Sequence, residues 1–444
     1  TLMRSSAASD VYKRQIYFLL ALVCLGLQSC LFQEEDYFDD SSANRATADV
    51  KRCSELLEAA PNGWVMEYYV GKDYSLGGIT LLCKFDGQRV TMASQIAGAD
   101  ETVSSLYSVK SEQATMLSFD TYNYLVHYFG QPQGSMADDP NGTLGGDYEF
   151  VISDATADRI ELKGKKYGNR IVMKAFSADQ TWKQYLTRIK KVEDDAFFYE
   201  YDLRMDGLYT GQMLRSNYTF IVTYYDEVGK VHQKTVPFMF TTDGMRFHEP
   251  VTIDGQTMQN FVWKNEEISF VCTDEGATEV KLAGVYTAGY QSYDYYPGTY
   301  QMDFYRLNDA TNQMEVASQE IQLVKDEDGK SYWLKGLEYD ILVTYDKPRG
   351  GLSILPQFLK KVQGGYVYLA MWDLMNDYVL RSSAIGLISY PTTDGIYLVD
   401  NGVWMGEISG FIFGVYDSQD EEASFMGYTD AVAAIRLIKK TIEE

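Results

Sequence analysis

Histidine is almost missing from this chain. Three stand in 444 residues, His127, His232 and His248, and no two have the spacing of a metal-binding motif. A zinc site, which favours His and Cys ligands, would need residues from distant parts of the chain. His127 falls on an apolar helical stretch and reads as a hydrogen-bonded structural residue. His248-Glu249-Pro250 reads as a strand leaving into a turn. Cysteine is scarce as well. Cys24 and Cys30 lie in the first thirty residues, and Cys53, Cys83 and Cys272 are far apart, odd in number and without a CxxC. That excludes a disulfide framework and leaves at most one pair open. Cys83 and Cys272 sit in apolar runs and read as buried thiols.

Positive charge is short too: 39 Lys and Arg face 63 Asp and Glu, a net −24. Nucleic acid is excluded as a partner, because its phosphates demand Lys and Arg contacts. Cations and neutral ligands stay compatible. No apolar run approaches the roughly 20 residues of a membrane-spanning helix. Proline, at 9 of 444, is well below the usual ~5%. Catalytic motifs are absent: there is no GxSxG elbow. The Gly164–Asn169 segment lacks the spacing of a phosphate loop and joins two strands, so it reads as a basic hairpin loop. The chain is therefore read as non-enzymatic. A hydrolase with a composite site, such as a pair of carboxylates, is the third-ranked reading.

What is present begins with an address. Ile16–Leu27 is an apolar run of about 12 residues behind Lys13 and Arg14, the form of a signal peptide. It leads into Leu27-Gln28-Ser29-Cys30 and then an acidic stretch. The pattern predicts a lipoprotein: cleavage before Cys30 and a lipid on its sulfur, which anchors the chain to a membrane. Ser5–Gln15 resembles translated adapter sequence, so residues 1–15 are set aside. Residues 1–29 are read as the removed segment and 30–45 as the lipidated cysteine with its acidic tether. Gln33-Glu34-Glu35-Asp36 resembles the signal that sends Bacteroidetes lipoproteins to the outer face of the outer membrane, with the periplasmic face as the alternative.

Beyond the tether the chain reads as mainly β: two or three antiparallel sandwich- or barrel-like domains with a few short helices. Tyr (36) and Phe (21) favour strands. Short alternating runs recur between turns, starting with Trp64–Val70, Ile79–Phe85 and Val90–Ser94. Trp64, Trp263, Trp333, Trp372 and Trp404 sit in apolar strand contexts and are read as core. Helices are expected at Ser41–Ala60, near Tyr122–Phe129 and at Ser177–Asp195. Ala431–Lys440 is a strand or a short helix. The domains are drawn as 46–176, 177–283 (free to pack with the first) and 284–444. Thr241-Thr242-Asp243-Gly244 recurs as Thr392-Thr393-Asp394-Gly395. The echo marks either a duplicated β unit or a repeated hairpin turn, where Asp-Gly accepts a positive φ.

Several segments resemble a known family: Trp64 with Tyr68, Gly77-Gly78, Ser118–Asn123, Gly145–Phe150, Leu162–Asn169 and Asp243–Trp263. Together, over roughly residues 46–275, they resemble the Bacteroidetes lipoprotein family called domain of unknown function 4302. The resemblance implies an outer-membrane lipoprotein associated with nutrient-uptake receptors of the TonB-dependent type and their lipoprotein partners. It supplies no catalytic residues.

Two features remain as binding candidates. Asp138-Asp139-Pro140-Asn141 and Asp417–Glu422 offer oxygens to Ca²⁺, though neither has EF-hand spacing. Tyr286–Tyr305 is the strongest candidate. Tyr286, Tyr290, Tyr293, Tyr295, Tyr296 and Tyr300 offer flat rings with polar tips to a sugar or peptide. The competing reading is an alternating strand with tyrosines on its wet side. The expected function is capture or presentation of a glycan or peptide nutrient at the cell surface. The alternative is an accessory or adhesin-type interaction subunit without a small-molecule site.

Overall fold

The structure is a computed structural model that describes residues 41–440 apart from 133–141, 227, 309, 312 and 421. Cys30, the acidic tether and Asp138–Asn141 lie outside the described residues. The chain divides into two compact units, residues up to 73 with 80–180, and residues 74–79 with 181–444. Among the described residues no helix is long and apolar enough to cross a membrane.

The first unit opens with helix α1 (Ser42–Ala59). Ser41 caps it, its hydroxyl accepting from the Asn44 amide at 3.2 Å. Eight strands follow: β1 (Trp64–Val70), β2 (Gly77–Asp86), β3 (Arg89–Ser94), β4 (Val103–Ser111), β5 (Thr115–Phe119), β6 (Glu149–Ala155), β7 (Arg159–Gly164) and β8 (Arg170–Ala175). A short helix α2 (Tyr124–His127) lies between β5 and β6. Each strand pairs antiparallel with its neighbour in sequence. β1 closes the barrel on β8, from the Trp64–Ala175 pair to the Glu67–Val172 pair. Closure leaves no open edge to template aggregation. Alternation sets the faces. Ile160, Leu162, Ile171 and Met173 are buried, while Glu161 pairs with Arg170 outside at 2.6 Å. Trp64 is fully buried, and its indole donates to the Leu57 carbonyl of α1 at 2.9 Å. Cys53 and Leu57 bury the inner face of α1 against β4 and β5.

In the second unit, helix α3 (Trp182–Asp195) starts with a capping box between Thr181 and Gln184. It buries Leu186, Ile189 and Val192. A second closed barrel follows: β9 (Glu200–Met205), β10 (Leu208–Ser216), β11 (Thr219–Tyr225), β12 (Val231–Phe240), β13 (Gly244–Ile253), β14 (Gln256–Lys264), β15 (Ser269–Cys272) and β16 (Lys281–Val285), with β16 pairing back to β9. Its core is aromatic: Tyr201, Phe220, Phe238, Phe240, Phe247, Phe261 and Phe270, with Ile189 and Val192 of α3 packed in. Burying each such side chain contributes on the order of 1.5–3 kcal/mol. Two-residue turns, Asp206-Gly207 (φ 50° and 79°) and Asp254-Gly255 (48° and 75°), keep the hairpins tight.

The last sheet has twelve strands: β17 (Gly298–Asn308), β18 (Gln313–Lys325), β19 (Ser331–Lys335), β20 (Ile341–Asp346), β21 (Gly351–Ile354), β22 (Gln357–Val362), β23 (Gly365–Asp373), β24 (Tyr378–Leu380), β25 (Leu387–Thr392), β26 (Gly395–Asp400), β27 (Gly410–Tyr416) and β28 (Phe425–Lys439). Because β28 also pairs with β17, eight of them (β17 to β21, β25, β26 and β28) form a third ring. β27, β23, β22 and β24 extend from β28 as a side sheet. β28 serves both through a bulge: Asp303 pairs with Arg436 but Tyr305 with Ala433, and Ala434 sits at φ 50°.

Several sequence expectations are corrected. The Tyr-rich stretch is not one strand: residues 286–297 are irregular apart from a 3-10 turn at Tyr293–Tyr295, and the strand starts at Gly298. His248-Glu249-Pro250 does not leave its strand. It lies inside β13 where the register shifts between Arg246 and Val251, a place that tolerates proline. Trp263 and Trp404 are half-buried yet pack against their cores, whereas Trp333 is half-buried outside them; the three indole N–H groups reach Asn265 (2.5 Å), Asp373 (3.0 Å) and Asp326 (2.9 Å) respectively. The Thr-Thr-Asp-Gly echo falls at non-equivalent turns, between the fourth and fifth strands of the second barrel and the sixth and seventh of the third ring. What the copies share is turn chemistry. Thr241 donates to Asp243 at 3.0 Å and Thr392 to Asp394 at 2.6 Å, and neither Asp has a positive φ.

Candidate ligand-binding site

Within the second unit a cavity of about 510 Å³ opens where the end of α3, the hairpin after β10 and two turns of the last sheet meet. Its lining is built from α3 outward. Lys190, Glu193 and Asp194 lie on the last turns of the helix. Phe197 and Tyr199 follow in the linker to β9. Arg215 and Asn217 come from the β10–β11 hairpin, Lys330 from the β18–β19 turn, and Lys347 and Pro348 from the turn after β20.

Arg215 organises the floor. Its Nε donates to the Asn217 carbonyl and its Nη1 to the Ala196 carbonyl, each at 3.0 Å; Nη2 lies 3.6 Å from Glu193. The guanidinium lies over Phe240 at 5.0 Å. Glu193 accepts from the Tyr218 hydroxyl at 2.8 Å. Lys347 crosses the cavity to Asp194, reaching its carbonyl at 2.7 Å and its carboxylate at 2.9 Å. The Lys347 ammonium also lies 5.0 Å above the Phe197 ring, whose stacking partners are Phe198 (4.3 Å) and Tyr290 (6.0 Å). Phe197 is thus a wall element with its faces occupied.

Two side chains make no hydrogen bond or close ion pair among the described residues. Tyr199 is 51% exposed, and among the described residues neither its ring nor its hydroxyl has a partner. The Lys330 side chain makes no ion pair within 4 Å among the described residues; Asp328, whose carboxylate holds the Lys330 amide at 2.7 Å and fixes the turn, attracts its ammonium only from a distance. In all, four cations meet two carboxylates here, and both carboxylates are engaged by protein groups. The local sign is opposite to the chain's net −24.

The six tyrosines singled out in the sequence do not form one surface. Tyr296 and Tyr300 are buried, and their hydroxyls donate to the carbonyls of Gly350 (2.8 Å) and Tyr296 (2.7 Å). They are core residues, which corrects their reading as ligand contacts. Burial pushes both phenols above their ordinary pKa. Tyr293 stacks on Tyr332 at 4.7 Å and donates to the Ser331 carbonyl. Tyr290 is half-buried between Phe197 and Tyr286, and the Tyr345 hydroxyl donates to its oxygen at 3.1 Å. Tyr286 and Tyr295 are partly exposed but belong to different clusters, Tyr286 against Phe198 and Tyr295 against Tyr296 and Lys439. The stretch is a packing seam behind the cavity wall. Sequence reading missed Tyr199, Lys190, Lys330 and Lys347. The one available signal was the aromatic run Phe197-Phe198-Tyr199 directly after an amphipathic helix.

The other candidates resolve locally. His127 Nδ1 meets the Asn123 carbonyl at 3.0 Å and its ring stacks on Tyr148. His232 meets Asp226 at 2.9 Å. The Gly164–Asn169 loop is a hairpin whose Lys166 and Tyr167 amides (2.7 and 3.1 Å) are taken by the Asp147 carboxylate. Among the described residues, which leave out Glu421 of the Asp417–Glu422 loop, no three His, Cys, Asp or Glu side chains gather as a metal site. Cys53, Cys83 and Cys272 are free and buried, so the open question of a disulfide closes against one. Burial pushes the Cys272 thiol up to about 11.

Comparison with known proteins gives families without an assigned activity. A model described as a domain of unknown function (DUF4302) matches residues 34–265, and another, described as a domain of unknown function (DUF4987), matches 273–412. No curated protein matches the chain. Among solved structures the chain is similar to a protein of unknown function from the DUF3598 family of Nostoc punctiforme: 8% identity, 55% of this chain and 98% of that one, TM-score 0.15. It is also similar to a transferrin binding protein B mutant of Haemophilus parasuis, at 13% identity over 82% of this chain and 67% of that one, TM-score 0.11. Intact Ap-TbpB gives 12% identity over the same shares, TM-score 0.11. Since the first family match, residues 34–265, spans more than half of the chain, the protein belongs to the family described as a domain of unknown function (DUF4302).

Proposed function

We propose that this chain is a non-enzymatic, lipid-anchored protein of the outer membrane's outer face that captures a nutrient ligand, a glycan or a peptide, and presents it to an uptake receptor. The observation that carries the reading is the cavity at Tyr199 and Lys330. At about 510 Å³ it falls in the range of small-molecule sites, roughly 300–1,000 Å³. Its walls are fixed by the Arg215 and Lys347 contacts, so little ordering is needed on binding. The address rests on the Cys30 signal, and the receptor, of the TonB-dependent type, rests on the family resemblance.

A thermal-shift screen of the full chain carrying Cys30→Ser, so that no lipid is attached, tests capture. A bound ligand at about 100 times its Kd adds roughly 2.7 kcal/mol of stability. Shifts from glycans or short peptides that vanish in Tyr199→Ala support the reading. A flat response across both classes contradicts it.

One observation favours a protein-interaction subunit as the second reading. Met375 (82% exposed) and Met405 (97% exposed) project from two loops. Buried Asp373 ties these loops together by accepting from the Asn376 amide (3.1 Å) and the Trp404 indole (3.0 Å). Solvent-facing methionines on a braced tip suit an adaptable protein contact. Loss of co-purification with neighbouring envelope proteins in a Met375→Ser, Met405→Ser variant tests it.

A further inference from the structure

We infer that the ligand held at the Tyr199–Lys330 cavity is an acidic sugar, a saccharide bearing a carboxylate. The inference rests on the capture reading above and names its chemical class.

In a chain with 63 acids and 39 bases, a cavity lined by four cations and two carboxylates is a local reversal of sign. The two carboxylates do not cancel it for an incoming ligand. Glu193 is held by Tyr218 and Arg215, and Asp194 by Lys347. Lys330 is a cation with no direct ion pair among the described residues: Asp328 braces its turn by accepting from its amide and attracts the ammonium only from a distance. An ammonium lining a partly enclosed cavity attracts an anion and forms a charge-assisted hydrogen bond with a carboxylate.

The rest of the ligand is read from the other walls. Tyr199 presents an open ring beside the cations, and such a face packs against the C–H surface of a pyranose. The Tyr199 hydroxyl and the Asn217 side chain add polar contacts of the kind that sugar hydroxyls use. A peptide fits less well. Extended peptides are held by main-chain pairing with an open strand edge. Here the Tyr199 carbonyl already accepts from the Arg215 amide (2.7 Å) and the Ala196 carbonyl from the Arg215 side chain (3.0 Å).

Isothermal titration of the full chain carrying Cys30→Ser tests this. The probes are trimers of galacturonate, glucuronate and guluronate, their methyl esters, the matching neutral hexose trimers, and a short acidic peptide. The expected result is binding of at least one uronate trimer, about tenfold weaker as the methyl ester and about tenfold weaker in Lys330→Ala and in Tyr199→Ala. Both side chains are exposed, and unchanged melting confirms that the variants fold. Equal binding of ester or neutral trimer, still lost in Tyr199→Ala, overturns the acidic class while leaving capture at the cavity intact. Tight binding of the peptide alone, lost in Lys330→Ala, overturns the sugar in favour of a peptide carboxylate. Silence from every probe overturns the sugar inference and the capture reading together.

Discussion

Lys347 and Asp194, 153 positions apart, meet across the cavity: the ammonium donates to both the carbonyl (2.7 Å) and the carboxylate (2.9 Å) of the aspartate. The pair is well exposed, so its contribution to stability is small, about 0–1 kcal/mol. For the proposed ligand the pair would matter more, because it holds one of the cavity's cations against a competing carboxylate. Asp194→Asn is expected to leave the melting temperature nearly unchanged and to tighten uronate binding a few-fold. Calorimetry alongside thermal melts checks both. Weaker binding in Asp194→Asn would mean that the carboxylate, not the freed ammonium, serves the ligand.

Gly350 controls the wall behind the site. It sits at φ 64°, and a β-carbon there would lie 2.5 Å from the Tyr290 ring and 2.7 Å from the Gln291 amide. Gly350→Ala therefore meets backbone strain and a clash at once. The expected loss is about 2 kcal/mol or more, with Tyr290 displaced from Phe197. Chemical denaturation reads the first effect, and a weakened response to ligand reads the second.

The bulge in β28 makes the opposite prediction. Ala434 holds a left-handed conformation (φ 50°) that glycine adopts without a β-carbon penalty. Ala434→Gly is expected to stabilise the unit by up to about 1 kcal/mol and to raise its melting temperature by about 2–4 °C. Calorimetric scans of the two chains provide the check. A lower melting temperature would show that the Ala434 methyl group supplies packing worth more than the strain.

Acid should unpick a cross-strand cluster. Hydrogen bonds from Gln301, Arg436 and Ser318 hold the Asp303 carboxyl down to about 2. An unfolded Asp titrates near about 3.9. A depressed pKa contributes stability that is present above the unfolded value and is lost as pH falls through the folded one. Stability should therefore fall between about pH 4 and about pH 2, and less steeply in Asp303→Asn. Denaturation midpoints measured across that window decide it. An identical slope in both chains would remove Asp303 from the acid response.

The sequence made the mainly β fold, its short helices and the buried thiols legible, because strand alternation and helical spacing are local signals. α1 and α3 were visible through the 3–4 spacing of Val50, Cys53 and Leu57 and of Trp182, Tyr185 and Ile189, although α3 starts at Trp182 behind the Thr181 cap and not at Ser177. β4 and β10 escaped. β4 buries only Ser105 and Tyr107, and β10 leaves Leu208 and Tyr209 exposed, so neither shows a clean alternation. The Tyr-rich stretch misled for the opposite reason: its composition suits a binding face, yet main-chain carbonyls brought from Gly350 and Ser331 capture its hydroxyls. The cavity itself was invisible. Lys190 and Tyr199, Lys330, and Lys347 come from three separate segments, and no local spacing announces a juxtaposition made only by packing.

The most direct test of the account is hydrogen–deuterium exchange on the full chain carrying Cys30→Ser, with and without a saturating uronate trimer. The account predicts slower exchange in peptides covering residues 190–199, 215–217 and 328–348, and little change in the first unit. Protection confined to other segments, or none under conditions where binding is measured, would contradict the cavity as the place where this protein holds its ligand.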